Sequence, residues 1–515
     1  MSTLFGRKIT TDSIVLNLDF SNRKCFVPNL LNYSNWQVGS GFIPTNLSLW
    51  GASSYSINGQ NTENIRVIGS NPFQYSNSVI WKASTIDPPL ITGGGGLEGD
   101  GGFDTGYVQI DPNKMYRYSI WTKRDSMTPG PTQSGQFYFG HRTYDSSYNL
   151  QNVISKNANS LSFSASNTYF HATTNTYPST YTDISSPYLG GLNVWTLVVA
   201  HVWPVGSTHG VSNTPGTNIN SLPANSSHPD SGVWTIQNGK IGNLLYATPI
   251  DSGYNDWIWN ATSSYTKHRA YHYYSGDITA TQSFIYPRID LIDGLEPSVT
   301  ELLSGPEPVR DMSSKMNVIY PFSSTNFDIN GKGIVFSGVE SEIIGGTISS
   351  TFSVYSMSIW FKPSAQITST TPGQTLVQFG NPNTNPFILY LGDVNSVNVT
   401  NEVITICNSG NLFTSVYSPL VLAAVWQNLT IVWQGSLYFV YLNGVQQTTT
   451  SGASVGNATP NYYVDYMTLG GRKYTGQPWA GFFQGTIGSV VVYERALTPA
   501  EVSADFNSMR QKYGV

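Results

Sequence analysis

Apolar residues recur at every second position along this chain, in short runs broken by glycine, asparagine, serine and proline. Ser13-Ile14-Val15-Leu16-Asn17-Leu18-Asp19-Phe20 sets the tone: Ile14, Leu16, Leu18 and Phe20 share one face, and the turn formers Ser21-Asn22-Arg23-Lys24 close the run. Similar runs lie at 63–67, 78–82, 115–121, 135–141, 195–203, 267–274 and 283–290, and again at 353–362, 376–379, 403–407, 428–433, 436–442 and 487–493. Many short strands with turn residues between them predict an all-β chain built of sandwiches. Asn443-Gly444 after Tyr441-Leu442 predicts a tight hairpin. Helical signals are few. Residues 296–303 can hold one short turn. Thr498-Pro499-Ala500-Glu501 is a capping box, and Val502, Phe506, Met509 and Tyr513 follow it at helical spacing, which predicts one amphipathic helix at the end.

The run at 14–20 cannot stand alone, because its edges and its apolar face need partners. At 515 residues, with 39% hydrophobic and 13% aromatic residues, the chain has enough apolar material for two large β-domains. Only 11% of residues are charged, so Ser, Thr, Asn, Gln, Gly and Tyr must cover the surface. A neutral polar surface of this kind suits sugars, which bind by neutral hydrogen bonds and aromatic stacking. The net charge is −5 with no basic patch, which argues against nucleic acid. No stretch approaches the apolar length that spans a membrane. Residues 1–12 contain no apolar core of a signal peptide. Two cysteines, Cys25 and Cys407, exclude a disulfide-stapled scaffold; whether they pair is open, and two separate buried thiols are the plainer reading.

Candidate chemistry is sparse. No Gly-x-Ser-x-Gly stands at a strand–helix junction, and Gly93–Gly96 lacks the Lys-Ser/Thr that a phosphate loop needs. A glycoside hydrolase needs two carboxylates across a cleft. Glu340-Ser341-Glu342 and Glu98-Gly99-Asp100 are the nearest approaches, and both read as ordinary strand-end or loop residues. The seven histidines are dispersed. His268 and His272 are four apart in a strand, where zinc spacing does not apply, and His268 and Tyr271 are expected inside the sandwich. Stacking platforms for a sugar would be Trp234, Tyr254, Trp257 and Trp259, in a segment of high aromatic density, with Trp479 in a glycine-rich loop further on. Core filling is the competing use of each.

Several stretches are similar to known families. Residues 333–340, 357–362 and 438–444, Leu469-Gly470-Gly471, and above all 483–502 resemble laminin-G-like, concanavalin-type jelly rolls. In that family an opening strand much like Asp12–Asp19 is soon followed by a segment like Asp311-Met312-Ser313. The resemblance therefore implies one jelly roll from 1–28 plus 306–515, with 29–305 inserted into it. Asp100–Phe103, 110–121, His268–Tyr271 and 287–298 resemble the carbohydrate-binding-module-like jelly rolls of tailed-phage appendage proteins. Both families often hold a structural Ca2+, which makes Asp100, Asp104, Asp290 and Asp293 candidate ligands by resemblance.

Together the two resemblances imply a non-enzymatic structural protein on the surface of a tailed-phage virion: a head or neck fibre, tail appendage or decoration protein that displays a glycan-binding domain to the host. Residues 1–12 would dock onto other virion proteins, and a homo-oligomer, trimeric by analogy, would follow. A glycan depolymerase and a secreted lectin or adhesin are the alternatives. Neither nucleic-acid binding nor membrane insertion is expected.

Overall fold

In a computed structural model, the structure describes residues 13–31, 41–42, 56–57, 61–84, 99–126, 134–156, 163–165, 168–172, 192–207, 227–242, 256–275, 279–313, 315, 318–322, 326–327, 332–352, 355–367, 372–380, 387–392, 404–408, 411–416, 421–434, 437–447, 449–450, 464–473 and 478–515. The chain forms two compact units. One comprises Met1–Pro28 and Gly305–Val515, the other Asn29–Ser304. Both are all-β; among the described residues the α-helices are Val299–Ser304 and Pro499–Tyr513, with single 3-10 turns at Asn61–Glu63 and Glu340–Glu342. The segment 1–12, expected to dock, lies outside the described residues.

The two-segment unit is a sandwich of two antiparallel sheets. Its first sheet runs Asn326–Phe327, Ile334–Ser337, Gln484–Tyr493, Ser356–Pro363, Gln427–Gln434, Leu437–Leu442, Val445–Gln446. The strand Ile14–Asp19 pairs with Gln484–Tyr493 along 489–493, while Ile334–Ser337 takes 484–487. Strands from the start, the middle and the end of the chain therefore share one ladder. The second sheet, through Ile344–Phe352, Val464–Leu469, Gln374–Phe379 and Phe387–Leu391, closes over a common core. Leu16, Leu18 and Phe20 lie in that core with no exposed surface, beside Phe361, Leu389 and Met467.

The alternation expected for 14–20 is broken once. A register shift between Ile14 and Leu16 turns Val15 into the core and leaves Ile14 against the cluster of Tyr493, Leu497 and Val502. The hairpin at Asn443-Gly444 forms, with both residues at positive φ (52° and 75°), the backbone that such two-residue turns require. The C-terminal capping box is complete: Thr498 and Glu501 exchange bonds. Val502 buries on one cluster, while Tyr513, with Phe506 and Met509, packs on Trp360 and Trp426. Cys25 is a buried free thiol, raised by burial well above the ordinary range.

Asp311 ties the first segment to the second. It accepts from the backbone N–H of Asn17 at 2.8 Å, and from both the N–H and the hydroxyl of Ser313. The Ser313 hydroxyl also lies 3.1 Å from the Val15 carbonyl.

The Asn29–Ser304 unit has an eleven-stranded and a six-stranded sheet among the described residues. The larger includes Thr196–Trp203, Tyr116–Ser126, Thr281–Leu291 and Ser78–Ser84 in adjacent order; the smaller runs Tyr169–Ala172, Ser134–Tyr144, Tyr265–Ser275, Gly99–Asp104, Ser56–Ile57. Between them lie Trp81, Phe103, Tyr118, Phe139 and Phe170. The short helix Val299–Ser304 is capped reciprocally by Ser298 and Glu301 and buries Val299 and Leu302 on the same core.

Two expectations follow. Removing the Asp311 carboxylate (Asp311→Ala) orphans the Asn17 N–H inside the first ladder, and should lower stability by about 1–3 kcal/mol in denaturant unfolding; no change would mean the clamp is dispensable. The second concerns acid. All seven histidines fall in Asn29–Ser304. His141, His201, His268 and His272 are fully buried, and burial pushes each pKa down, that of His268 to about 3. The unfolded chain titrates near 6.5, so below that pH it binds more protons than the folded unit. Stability from these groups is complete above about 6.5 and falls as pH drops, by up to about 1.4 kcal/mol per pH unit for each histidine. Asp256, lifted by burial, opposes this as one group against four. Calorimetry at pH 7.5 and 5.5 should show the Asn29–Ser304 transition moving down and the other holding; equal shifts would refute the assignment.

Candidate functional site

Strand period decides what faces outward on the six-stranded sheet. Along Ser134–Tyr144, Phe137, Phe139 and His141 point into the core, so Tyr138, Gly140, Arg142 and Tyr144 lie on the opposite face. Along Tyr265–Ser275, His268 and Ala270 go inward, and Tyr265, Lys267, Arg269 and Tyr271 go outward. Register brings them together: Tyr138 opposes Tyr271, Gly140 opposes Arg269, Arg142 opposes Lys267 and Tyr144 opposes Tyr265. Asp104 faces Arg269 from the next strand, and Tyr169 faces Gly140 from the other side.

The result is two tyrosine clusters with charge between them. In one, the Arg269 guanidinium lies 4.7 Å from the Tyr169 ring centre and 4.9 Å from that of Tyr271, and Tyr138 packs edge-on to Tyr169 at 4.7 Å. Arg269 also donates to both phenol oxygens, at 2.9 Å to Tyr169 and 2.8 Å to Tyr271. In the other, the Lys267 ammonium sits 4.5 Å over Tyr107, which meets Tyr144 and Tyr148; Tyr148 stacks on Tyr265 at 4.8 Å. Asp104 is buried at the centre. It accepts from Arg142 at 3.0 Å and Arg269 at 3.1 Å, and from the Tyr271 hydroxyl. Tyr138, Tyr107, Tyr169 and Tyr265 are half-buried and Tyr148 is 51% exposed, so ring surface reaches solvent. From Tyr138 to Tyr144 the strand runs about 20 Å, several sugar rings in length.

Two glycines make room for the first cluster. A Cβ on Gly140 would lie 2.5 Å from the Thr168 carbonyl oxygen and 2.9 Å from the Tyr169 ring; one on Gly102 would lie 2.6 Å from the Tyr271 Cα. Both rings rest over backbone that carries no side chain.

The residues singled out from the sequence fare differently. Trp257 and Trp259 have no exposed surface; they fill the core and donate to the carbonyls of Tyr169 and Lys114. They are not platforms. Trp234 is half-buried on the other sheet, donates to the Asp230 carbonyl and has the Lys240 ammonium 5.6 Å from its ring. Trp479 belongs to the two-segment unit, where Phe322 meets it at 4.9 Å and Lys473 at 5.5 Å. Tyr254 lies outside the described residues, as does the side chain of Asp100.

Asp104 and Asp290, named as calcium ligands, instead pair with arginines. Asp290 accepts from Arg117 and Arg288, both at 2.7 Å. Burial opposes its ionisation, but the two guanidinium groups outweigh that and hold the carboxyl below its usual range. Asp293 is exposed and closes its own turn to the Leu295 N–H. Among the described residues no group of three or more His, Cys, Asp or Glu could hold a metal ion. Glu342 accepts from the N–H and hydroxyl of Ser337, and Glu98 lies outside the described residues. His268 is inside the sandwich as expected, with its Nε2 3.1 Å from the Ser119 carbonyl, but Tyr271 is on the outer face: residues three apart in a strand cannot share a side.

Residues 342–503 match the family model described as the concanavalin A-like lectin/glucanases superfamily. The jelly-roll class of that part of the chain is thus defined. No curated protein matches the sequence. Among solved structures, that titled for the dependence of botulinum neurotoxin type C cell entry on two ganglioside molecules is 15% identical, covering 39% of this chain and 48% of that one, with a TM-score of 0.30. Domain 4 of an extracellular arabinanase from Geobacillus stearothermophilus, in complex with arabinotriose, is 20% identical over 38% of this chain and 92% of that one, with a TM-score of 0.26. A sialidase from Streptococcus pneumoniae is 22% identical over 30% and 24%, with a TM-score of 0.23. This chain spans about half the length of the neurotoxin chain. At these scores each is a likeness over part of the chain, with no bearing on ligands.

The glycine requirement is testable. Gly140→Ala should push Tyr169 off Arg269 and cost about 1–3 kcal/mol of stability by overpacking. Thermal unfolding reads the loss; an unchanged midpoint would mean that the neighbouring strand yields freely.

Proposed function

We propose that the chain is a non-enzymatic, surface-displayed structural protein of a tailed-phage virion that binds host-surface glycans through the tyrosine face of Asn29–Ser304. The observation that carries the glycan part is that face: four half-buried tyrosines and the exposed Tyr148 on one sheet surface, held by Arg269 and Lys267 and interrupted by the half-exposed Arg142. Rings fixed by their neighbours lose little freedom when a sugar stacks on them, and the phenol and guanidinium groups between them offer hydrogen bonds. The concanavalin-like match of residues 342–503 supports the same reading at the level of fold. The virion assignment rests on the resemblance of both units to phage appendage modules and on the low share of charged residues, 11%. Docking by residues 1–12 and assembly into a homo-oligomer belong to the same proposal.

A glycan array with the purified chain tests the binding. Tyr148→Ala and Tyr138→Ala should each weaken binding about tenfold or more while leaving the melting temperature unchanged; a chain that retains no glycan, or variants that bind like the parent, would defeat it. Bound polysaccharide should show no new reducing ends after incubation, and their appearance would move the depolymerase reading ahead. A cryo-EM map of the particle that carries this chain tests the location.

A further inference from the structure

We infer that the tyrosine face selects acidic glycans, those bearing carboxylate groups, over neutral ones of the same backbone. The inference rests on the glycan reading above and narrows it.

The argument is one of local charge. The protein carries a net charge of −5, and only 11% of its residues are charged. Among the described residues of this face three cations, Arg142, Lys267 and Arg269, stand against one carboxylate, Asp104. Asp104 is 1% exposed and already accepts from two guanidinium groups and a phenol, so it presents little negative surface to a ligand. Asp145, where the strand ends, has both oxygens engaged by its own turn: it accepts from the N–H groups of Ser147 and Asn149 and from the amides of Asn149 and Gln151. Among the described residues the excess is therefore positive.

The three cations differ in reach. Arg269 is 3% exposed and Lys267 lies under Tyr107 and Tyr144, so these two act through their field. The Arg142 side chain is 34% exposed, with Nη1 donating to Asp104 and the guanidinium also meeting the Tyr144 hydroxyl. Arg142 is thus the cation that can touch a ligand, and it lies between the two tyrosine clusters. A sugar chain stacked along the face passes over it. A carboxylate there gains a charge-assisted hydrogen bond, roughly twice as strong as a neutral one. A neutral hydroxymethyl group at the same position gains less and leaves the local positive field uncompensated. Partial burial among rings strengthens the effect, since screening is weaker than in open water.

The experiment compares acidic surface polysaccharides with the same polysaccharides after carboxyl reduction, which turns each uronate into the neutral hexose and leaves the backbone intact. Binding is measured to the full-length chain. The inference expects at least about a tenfold loss on reduction, and weakening of the acidic form as salt rises from about 50 to 300 mM. Arg142→Gln should reproduce the loss and Arg142→Lys should recover part of it. Tyr148→Ala should weaken acidic and reduced forms by the same factor. Equal binding of native and reduced polysaccharides, or an Arg142→Gln variant that keeps the preference, would overturn the acidic selection while leaving glycan binding in place. Dextran sulfate bound as tightly as the uronate polymers would overturn it too, as a response to any polyanion. A chain that binds no polysaccharide, charged or neutral, would instead overturn the glycan reading itself.

Discussion

Everything in the two-segment unit depends on the antiparallel pairing of Ile14–Asp19 with Gln484–Tyr493. The strand is locked by more than its ladder. Asp311 holds the Asn17 N–H, the Met312 N–H reaches the Asn17 carbonyl, Arg310 N–H reaches the Cys25 carbonyl, and Lys512 meets the Asp19 carboxylate at 2.6 Å. Each of these bonds joins residues near the start of the chain to residues beyond 305. Closing so long a loop costs entropy only slowly with length, and a unit that folds on its own within the loop reduces the cost further by bringing its ends to fixed points. The order of folding that this favours is clear. Asn29–Ser304 holds its own core and all its own strands, whereas the outer unit lacks its closing ladder until the last strand exists. Phe26 bridges to Val309 at the point where the chain leaves and returns.

Within Asn29–Ser304 the two faces of one strand do opposite physical jobs. On Tyr265–Ser275 the inward residues include His268 and His272, kept neutral because the core cannot solvate a charge. The outward residues are Lys267 and Arg269, which stay covered only because aromatic faces and one carboxylate compensate them. The same logic organises the other sheet, where Arg117, Arg288 and Asp290 form a buried set. Charge is scarce in this protein, and much of what it has is kept under rings and beside counter-charges. That arrangement is costly to leave incomplete. Loss of one partner exposes the next to an apolar surround, a larger penalty than the pair itself gains.

The class of the fold was plain in the sequence, because period-2 runs, Asn443-Gly444 and the Thr498–Glu501 box are local signals with one structural solution each. The break between 28 and 306 came from likeness to a known strand order, and the units part at Pro28/Asn29 and Ser304/Gly305. The register shift beside Ile14 was not legible, since a bulge leaves no composition mark. Of the stacking candidates weighed against core filling, Trp257 and Trp259 take the core, where their size draws them. Tyrosine, with a polar tip, can stay at the surface, and the spacing Tyr265, Lys267, Arg269, Tyr271 was present to be read. What the sequence could not supply was the register that sets Tyr138, Gly140 and Arg142 beside them. Asp104 and Asp290 pair with arginines for a reason the sequence hides: a carboxylate in sequence does not announce whether its partner is a cation from solution or an arginine on a neighbouring strand.

A surface with little charge changes how a small positive cluster behaves. On an ordinary protein, neighbouring ions of both signs would blur three cations within a Debye length. Here only 11% of the residues are charged, so little competes with the field of Arg142, Lys267 and Arg269. The tyrosines then serve twice. They hold the cations in place through their rings, and they exclude water from the ground over which a ligand would lie. The two functions support each other: the rings cover Arg269 and Lys267 beside the Asp104 carboxylate, and the cations contact the rings that flank them. Recognition by such a face is a property of the pairing of ring and cation across strands, set by register, and not of any single residue on it.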